Sequence, residues 1–491
     1  MVLNRSVTIE NFAGGAGKFD SVTGRNRERS VALPSGVQGA ADAGFACTVR
    51  GFARLFPGRR FGGGALAIYQ DGQPVVDVWT GYSDRAGTES WTADTAAMVF
   101  SATKGMASTV IHRLADRGLL DYDTAVSAYW PEFGANGKAA ITVRQVLEHR
   151  AGLSQLNGVN KADSLDHRVM EARIAATRVN RRLYDKPVYH ALTYGWLLSG
   201  LARALTGQGM RELFRTEIAE PLRTDGIHLG RPPVGSPTTA AQILVPQSTW
   251  PNPVFDFVAP KVARLRFSGF FGAMYFPGAM SLVRGDTPFL DAEVPAANGV
   301  ATARGLARMY GAIANGGRLD GAEYLSTSTA AGLTGRPSRP PDRNLAVPLA
   351  FHLGYHSVPF GVMSGFGHVG LGGSVGWADP GSGLAIGFGC SPRWCSTWLR
   401  SSVSTRSFAA TSPTLASVAS KRWPSLAHLP TSCTNPSPGR RVNLRCIPVD
   451  RATAVRIWSD STASANSVSA HRCLGCAPRT PREPKVVIYI T

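Results

Sequence analysis

Two side chains in the run of residues 101–104 have the types and the spacing that a covalent hydrolase needs. On a helix, residues three positions apart lie on one face, so the Ser101 hydroxyl and the Lys104 amine can meet. A serine hydroxyl is a weak nucleophile until a base removes its proton, and a desolvated lysine can be that base because burial lowers its pKa. Apolar residues flank the pair at positions 98–100 and 105–107. We therefore predict that Lys104 activates Ser101, rather than that both lie on a solvated helix face.

A second serine, Ser374, lies in a GxSxG pattern at residues 372–376. In α/β-hydrolases this pattern marks a sharp turn between a strand and a helix, and an acid and a histidine follow later in the chain. Here a β-rich hairpin follows instead, and the only later histidines are His428 and His471. We therefore expect Ser101, and not Ser374, to be the nucleophile.

Four further motifs follow Ser101 along the chain. They are LEHRAGL at residues 147–153, the triplet Tyr189-His190-Ala191, NGVATARGLA at residues 298–307, and the triplet His368-Val369-Gly370. With the serine–lysine pair, this set resembles the motifs of the serine β-lactamase and penicillin-binding superfamily, in particular its class C-like branch and the family VIII carboxylesterases. The resemblance covers about residues 37–389. It implies an α+β, β-lactamase-like fold, with an antiparallel sheet flanked by helices and a mainly helical insert domain.

The resemblance also implies a third catalytic side chain and an oxyanion hole. Tyr189 would exchange protons with Ser101 and the leaving group, helped by Lys104, while the acyl group is carried on Ser101. The backbone N–H groups of Ser101 and Leu371 would bind the oxyanion, and Gly370 suits the close backbone approach that this requires. The alternative for Tyr189 is an ordinary core tyrosine at the start of a helix.

Three positions depart from the β-lactamase pattern, and they concern the substrate. Enzymes of that group hold a substrate carboxylate with a lysine and a hydroxyl, and they assist the amide with an asparagine. This chain has His368, Val369 and Ala191 at those places. Valine and alanine offer no polar side-chain group, and histidine is only partly charged near neutral pH. We therefore predict an uncharged carboxylic ester as substrate, with His368 either a hydrogen-bond donor near the leaving group or a structural residue.

Two other functions are compatible with the same motifs. The first is a β-lactamase, DD-peptidase or acyltransferase of the same fold. The second belongs to another class, an inactive β-lactamase-like protein that serves as a binding protein. Labelling of the serine by a fluorophosphonate, and turnover of esters compared with β-lactams, separate these functions from an esterase.

The elements predicted around the motifs are helices and two hairpins. Apolar spacing predicts helices at residues 37–56, 94–117, 141–153, 189–206 and 302–315. β-rich runs predict one hairpin of residues 65–69 and 75–79 around Asp71-Gly72, and another of residues 375–378 and 384–388. Strands near both ends of the body predict one antiparallel sheet built from distant segments. We place a helical or cap insert at about residues 118–290 within a hydrolase domain of residues 37–389.

The two ends of the 491-residue chain differ from this body. Residues 1–36 are polar and are predicted to be a loose arm. Residues 390–491 hold six of the seven cysteines, 17 serines, 10 prolines, and 14 basic against 3 acidic residues. Because the resemblance stops where this composition begins, we predict a tail that is disordered or read from a shifted frame. The alternative is a zinc or disulfide module around Cys473 and Cys476.

Charge and motif content limit the partners. The net charge of +19 would favour nucleic acid or an anionic membrane, but residues 1–389 carry only 38 basic against 30 acidic residues. We therefore expect a small-molecule ester substrate and no nucleic acid. No apolar stretch suffices for a membrane span and no signal peptide is recognised, which favours a cytoplasmic or peripheral location. Without an HExxH motif or a clustered ligand set in the body, neither a metal nor an organic cofactor is expected. The oligomeric state stays open.

Overall fold

The computed structural model describes residues 30–58, 62–244, 269–274, 288–334, 342, 350–357 and 364–391. These residues all belong to one compact unit. Residues 1–29 and 392–491, which make up most of the predicted arm and tail, lie outside the described residues. The predictions for those segments therefore stay predictions, as do the boundaries of the domain.

The core is an antiparallel sheet in which distant parts of the chain lie side by side. Its eight strands are β1 (Val37–Ala41), β2 (Gly63–Gln70), β3 (Gln73–Gly81), β10 (Ala350–His352), β11 (Tyr355–Ser357), β12 (Phe366–Val369), β13 (Val375–Asp379) and β14 (Leu384–Cys390). Their order across the sheet is β1-β3-β2-β14-β13-β12-β11-β10. Strand β14 pairs with β2 along its whole length, so the last described strand lies in the middle of the sheet. The prediction of one antiparallel sheet built from distant segments is confirmed.

A smaller sheet contains the strand that precedes the serine–lysine pair of residues 101–104. It contains β4 (Thr95–Met98), β5 (Ile227–Leu229), β6 (Thr239–Ala240) and β7 (Gly299–Ala301), and a separate ladder joins β8 (Arg318–Leu319) to β9 (Ala322–Glu323). Strands β4 and β7 are antiparallel, with Met98 opposite Val300. This pairing brings the residues that follow β4 next to those that precede β7.

Helices cover both faces of the large sheet. They are α1 (Ala46–Ala53), α2 (Thr103–Asp116), α3 (Val126–Tyr129), α4 (Val143–Leu147), α5 (Lys161–Leu165), α6 (His167–Ala176), α7 (Thr193–Thr206), α8 (Met210–Phe214), α9 (Gly269–Met274), α10 (Ala303–Ala314) and α11 (Thr327–Gly332). Alternate residues of a strand point to opposite faces. Accordingly Leu66 of β2 joins an apolar cluster with Phe52 of α1, whereas its neighbours Ala65 and Ala67 belong to the main core, on the face that α10 covers.

Both predicted hairpins are confirmed. The first joins β2 to β3 through Asp71 and Gly72, whose φ angles are 51° and 73°. Positive φ at both central residues matches the right-handed twist of paired strands. The second joins β13 to β14, where Asp379 pairs with Leu384.

The prediction of a helix over residues 37–56 is wrong at its start. Residues Val37–Ala41 form β1 and pair with β3, and α1 begins only at Ala46. Backbone hydrogen bonds to β3 stabilise this stretch as a strand. In that conformation Val37 and Ala41 still pack in the apolar cluster, as they would on a helix. Apolar spacing alone does not distinguish the two conformations.

The other predicted helices are present with different bounds. The helix predicted from residue 94 is preceded by strand β4 and begins as α2 at Thr103. The helix predicted at residues 141–153 is reduced to α4, which a capping box of Thr142 and Gln145 begins. The helix predicted from residue 189 begins as α7 at Thr193 and ends at Gly207, which has φ of 74°. The helix predicted at residues 302–315 is confirmed as α10.

Candidate active site

The chain passes from β4 into α2 through a turn that carries Ser101. Phe100 has φ of 47°, in the left-handed region that residues with a Cβ rarely adopt. The Thr103 hydroxyl donates to the Phe100 carbonyl at 2.5 Å and accepts from the N–H of Gly299 at 2.9 Å. The turn is thereby fastened to the start of β7. Such backbone strain persists only where the surroundings hold it, and it is concentrated at functional sites.

Lys104 lies in the first turn of α2, and its side chain is completely buried. Its Nζ is 3.2 Å from Ser101 Oγ and 2.9 Å from the carbonyl oxygen of Ala296. No carboxylate of the described residues forms an ion pair with it, and burial lowers the pKa of the Lys104 ammonium well below its usual value. A neutral amine carries a lone pair that can accept the Ser101 proton while an N–H stays on Ala296.

The Ala296 carbonyl belongs to the loop before β7, and Asn298 organises this loop. The Asn298 Nδ2 donates to the carbonyls of Phe289 and Ala292 at 2.6 and 2.7 Å. Its Oδ1 accepts from the N–H of Val294 at 3.1 Å. All polar atoms of this buried side chain are therefore used within the loop, and Asn298 supports Lys104 indirectly.

Tyr189 completes the group that the sequence predicted. Its phenol hydrogen-bonds with Ser101, and Lys104 Nζ lies 4.8 Å from the centre of its ring. Burial raises the pKa of the Tyr189 phenol, although the hydrogen bond with Ser101 opposes this rise. The phenol therefore keeps its proton at neutral pH. The structure brings Ser101, Lys104 and Tyr189 together, although they lie on three separate segments of the chain.

The His368-Val369-Gly370 triplet approaches the nucleophile because a glycine permits it. A Cβ on Gly370 would lie 2.0 Å from the carbonyl oxygen of Val99, so no side chain fits there. The Gly370 N–H donates to the Ser374 carbonyl at 2.7 Å, so this N–H is not available to a substrate. Leu371, the next residue, is 36% exposed, and its N–H has no acceptor among the described residues. Of the two, only Leu371 has the free N–H that an oxyanion donor requires.

His368 lies on β12, buried, with its ring centre 6.4 Å from that of Tyr189. Its Nδ1 is 3.0 Å from the carbonyl oxygen of Val369, and its Nε2 has no partner among the described residues. Burial holds the pKa of His368 well below its usual value, and a positive charge on His356 or Lys104 would lower it further. With its proton on Nδ1, the neutral ring presents an acceptor at Nε2. The hydrogen-bond donor role considered from the sequence would require a second ring proton, which burial opposes.

Three further histidines, to which sequence reasoning gave no role, lie in the same region. The ring of His149 is 4.9 Å from that of Tyr189 and 5.6 Å from that of His190, and the ring of His356 is 4.9 Å from that of His368. Burial lowers the pKa of all three, to about 4 for His190 and His356. His149 and His190 lie inside recognised motifs and could have been found from them. His356 had no such signal, since only the pairing of β11 with β12 brings it close.

Ser374 does not have the surroundings of a nucleophile elbow. It is buried, and the residues that follow it form strand β13 rather than a helix. The expectation that the GxSxG pattern is not a catalytic elbow agrees with this geometry.

No group of three or more histidine, cysteine or acidic side chains in the described part of the chain could hold a metal ion. Buried carboxylates such as Asp77 and Glu171 pair with arginines, Arg304 and Arg203 respectively. Within the same described residues, every helix is too short or too polar to cross a membrane.

The sequence matches a known family and a named relative. The model of the family described as Beta-lactamase matches residues 46–390. The chain is also 65% identical over 352 residues to "Esterase/beta-lactamase LipL" of Mycobacterium tuberculosis (strain ATCC 25618 / H37Rv). That match covers 71% of this chain and 82% of the relative.

Solved structures with the same fold include enzymes and a penicillin-binding protein homologue. A family VIII carboxylesterase is similar with a TM-score of 0.62 and 30% identity, over 72% of this chain and 94% of its own. A penicillin-binding protein homologue from Caulobacter crescentus is similar with a TM-score of 0.63 and 30% identity, over 72% of this chain and 93% of its own.

Proposed function

This chain belongs to the Beta-lactamase family, and on that basis we propose that it is a serine hydrolase that cleaves carboxylic esters through an acyl-enzyme on Ser101. One observation carries the proposal. A fully buried lysine, Lys104, has its Nζ 3.2 Å from Ser101 Oγ and no carboxylate partner among the described residues. A lysine whose pKa is lowered by burial can act as a base, and a serine next to it can become a nucleophile.

The first half of the reaction forms the acyl-enzyme. As Ser101 Oγ attacks the ester carbonyl, its proton passes to Lys104 Nζ and the carbonyl oxygen becomes an oxyanion. The tetrahedral intermediate collapses by breaking the bond to the alcohol oxygen, and this oxygen takes a proton as it leaves. In the second half a water molecule attacks the acyl group, and Ser101 regains its proton as the carboxylic acid departs.

Tyr189 supplies the proton of the leaving alcohol. Its phenol stays protonated at neutral pH because burial raises its pKa, and it already hydrogen-bonds with Ser101. After the alcohol has taken this proton, Tyr189 is restored by the proton that Lys104 received. The ring of Tyr189 lies 4.8 Å from Lys104 Nζ, which is close enough for such an exchange through one water molecule.

The oxyanion is held by backbone N–H groups of Ser101 and Leu371. Fixed N–H donors stabilise the charge that develops on the carbonyl oxygen without having to reorient during the reaction. The free N–H of Leu371, and the contact of Gly370 with Val99 that brings this loop to the nucleophile, support the assignment.

An uncharged ester fits the lining of the site better than a carboxylated β-lactam. Ala191 is buried in an apolar cluster with Tyr189 and Phe351, and His368 is neutral. Neither offers the charge that a substrate carboxylate requires. A second candidate function, hydrolysis of β-lactams, is favoured by the relative named as both an esterase and a β-lactamase.

A fluorophosphonate probe and two substrates test the proposal. We expect the wild-type protein to be labelled and to hydrolyse short p-nitrophenyl esters, and the Ser101→Ala variant to do neither. The Ser374→Ala variant is the matched control and should keep both. Labelling that is lost in Ser374→Ala and kept in Ser101→Ala would overturn the assignment. Hydrolysis of nitrocefin that exceeds that of the esters would favour the second candidate.

A further inference from the structure

Tyr189 stands on a stretch of chain that is neither helix nor strand, between the turns at residues 181–186 and α7. Two hydrogen bonds to His149 hold this stretch, one on each side of the tyrosine. The His149 carbonyl accepts from the N–H of Val188 at 3.0 Å, and its Nδ1 accepts from the N–H of His190 at 3.1 Å. One histidine therefore brackets Tyr189 with its backbone and its side chain.

His190 ties the same stretch to the chain beyond α4. Its Nε2 accepts from the N–H of Leu153 at 3.0 Å, and its Nδ1–H donates to the carbonyl of Val188 at 2.6 Å. Both histidine rings are buried, and the ring of His149 also packs against that of Tyr189. Residues 188–190 are thus fixed to residues 149–153 by hydrogen bonds in which both imidazole rings are acceptors.

Both rings must be neutral to act in this way. His149 Nδ1 and His190 Nε2 can accept a backbone N–H only if each has a lone pair, which protonation would remove. Burial lowers the pKa of His190 to about 4 and that of His149 well below its usual value. His190, Lys104, His356 and His368 face His149, and a positive charge on any of them would lower the pKa of His149 further.

His149 has features that an ordinary core residue would avoid. Its φ of 58° lies in the left-handed region, and its Nε2 has no partner among the described residues although it is completely buried. Both features are unfavourable, and a smaller apolar residue would not bury an unpaired ring nitrogen. The two hydrogen bonds that His149 accepts on either side of Tyr189 compensate for these unfavourable features.

We propose that His149 and His190 are positioning residues that hold the Tyr189 hydroxyl at Ser101. This proposal rests on the function proposed above, in which Tyr189 gives its proton to the leaving alcohol. Without the two acceptors, residues 188–190 are free to shift, and a displacement of about 1 Å is enough to cost on the order of 100-fold in rate.

Paired substitutions distinguish the effect of the hydrogen-bond acceptor in each ring from the effect of the size of the ring. An asparagine at position 149 keeps an acceptor near the place of Nδ1, and a glutamine at position 190 keeps one near the place of Nε2. A leucine at either position has no acceptor. The variants are His149→Asn, His149→Leu, His190→Gln and His190→Leu. The matched control is His112→Leu, since His112 is also a buried, hydrogen-bonded histidine and contacts Tyr122 and Leu353 instead of Tyr189.

The readouts are the rate of fluorophosphonate labelling and kcat and KM for a p-nitrophenyl ester, each expressed per folded protein. We expect kcat and the labelling rate of both leucine variants to fall about 10- to 100-fold, with KM changed less than about threefold. The Asn and Gln variants should stay within about fivefold of wild type, the cost of a weakened hydrogen bond. The His112→Leu variant should lose thermal stability and keep its rates.

Two results would overturn the positioning role while leaving the esterase intact. One is a leucine variant at position 149 or 190 that keeps wild-type rates. The other is an equal loss of rate in the leucine variant and its polar partner. Failure of the proposed function looks different, because the wild-type protein itself would then not be labelled at Ser101.

Discussion

The two walls of the candidate site differ in how many of their polar groups already have partners. On one wall, Lys104 contacts Ser101 and Ala296, and Tyr189 contacts Ser101. On the other wall, His368 Nε2 and the Leu371 N–H have no partner among the described residues. We infer that the first wall is assembled before substrate arrives, whereas the Leu371 N–H of the second wall is left free for the carbonyl oxygen of the substrate. Substitutions in the first wall should therefore lower the catalytic rate more than substitutions in the second.

The largest effect is expected from removing Lys104, the proposed base of the first wall. In Lys104→Met the side chain keeps its length and loses its lone pair, so kcat for a p-nitrophenyl ester should fall about 10³- to 10⁴-fold, the upper range for a general base. Lys138→Met is the control, because Lys138 is also buried and donates to the carbonyls of Ala135, Ala175 and Thr177 away from Ser101. It should lower thermal stability and leave kcat unchanged. Equal losses of kcat in both variants would show that burial of a lysine, and not its lone pair, matters.

A smaller effect is expected from moving the second wall as a whole. In Gly370→Ala the new Cβ would meet the Val99 carbonyl oxygen at 2.0 Å, so the loop with Leu371 must move away from Ser101. The loss of one oxyanion donor should lower kcat about 100-fold. Gly332→Ala, where the new Cβ meets nothing within 4 Å, is the control and should behave as wild type. A normal kcat in Gly370→Ala would mean that Leu371 is not an oxyanion donor.

The smallest effect is expected from His368. In His368→Asn the group that faces Val369 is kept and the unpaired ring nitrogen is removed. Because an ester has no N–H or O–H to donate, this acceptor can reach it only through a water molecule, so kcat/KM should fall no more than about fivefold. Measurement with short and long p-nitrophenyl esters checks whether the loss depends on the acyl chain. A fall in kcat/KM as large as the fall in kcat expected for Lys104→Met would mean that the two walls do not differ in their tolerance of substitution.

The sequence was sufficient to predict the candidate catalytic side chains and insufficient to predict the groups that support them. Ser101, Lys104 and Tyr189 lie in motifs with diagnostic residue types, so they could be predicted. The Ala296 carbonyl could not be predicted, because every residue has a backbone oxygen and the residue type does not indicate which of them is used. His356 could not either, since its position depends on the pairing of β11 with β12.

The predicted fold class is confirmed, but individual elements were predicted wrongly where tertiary pairing decides the conformation. Residues 37–41 and 95–98 are apolar enough for a helix, and neighbouring strands turn both stretches into β1 and β4. Hairpins were predicted well because the turn at Asp71 and Gly72 is specified locally. Turns that are specified locally were therefore predicted correctly, whereas the start of an element that depends on a distant strand was not.

The central place of β14 has a consequence for how the protein is made. β2 and β3 are synthesised more than 300 residues before β14 (Leu384–Cys390), which pairs with the open edge of β2. Until that strand leaves the ribosome, the edge of β2 offers unpaired N–H and C=O groups and is prone to pair with other chains. The sheet thus has a high contact order, which predicts slow folding. A nascent chain of this protein is therefore expected to depend on chaperones for longer than one whose central strands are neighbours in sequence.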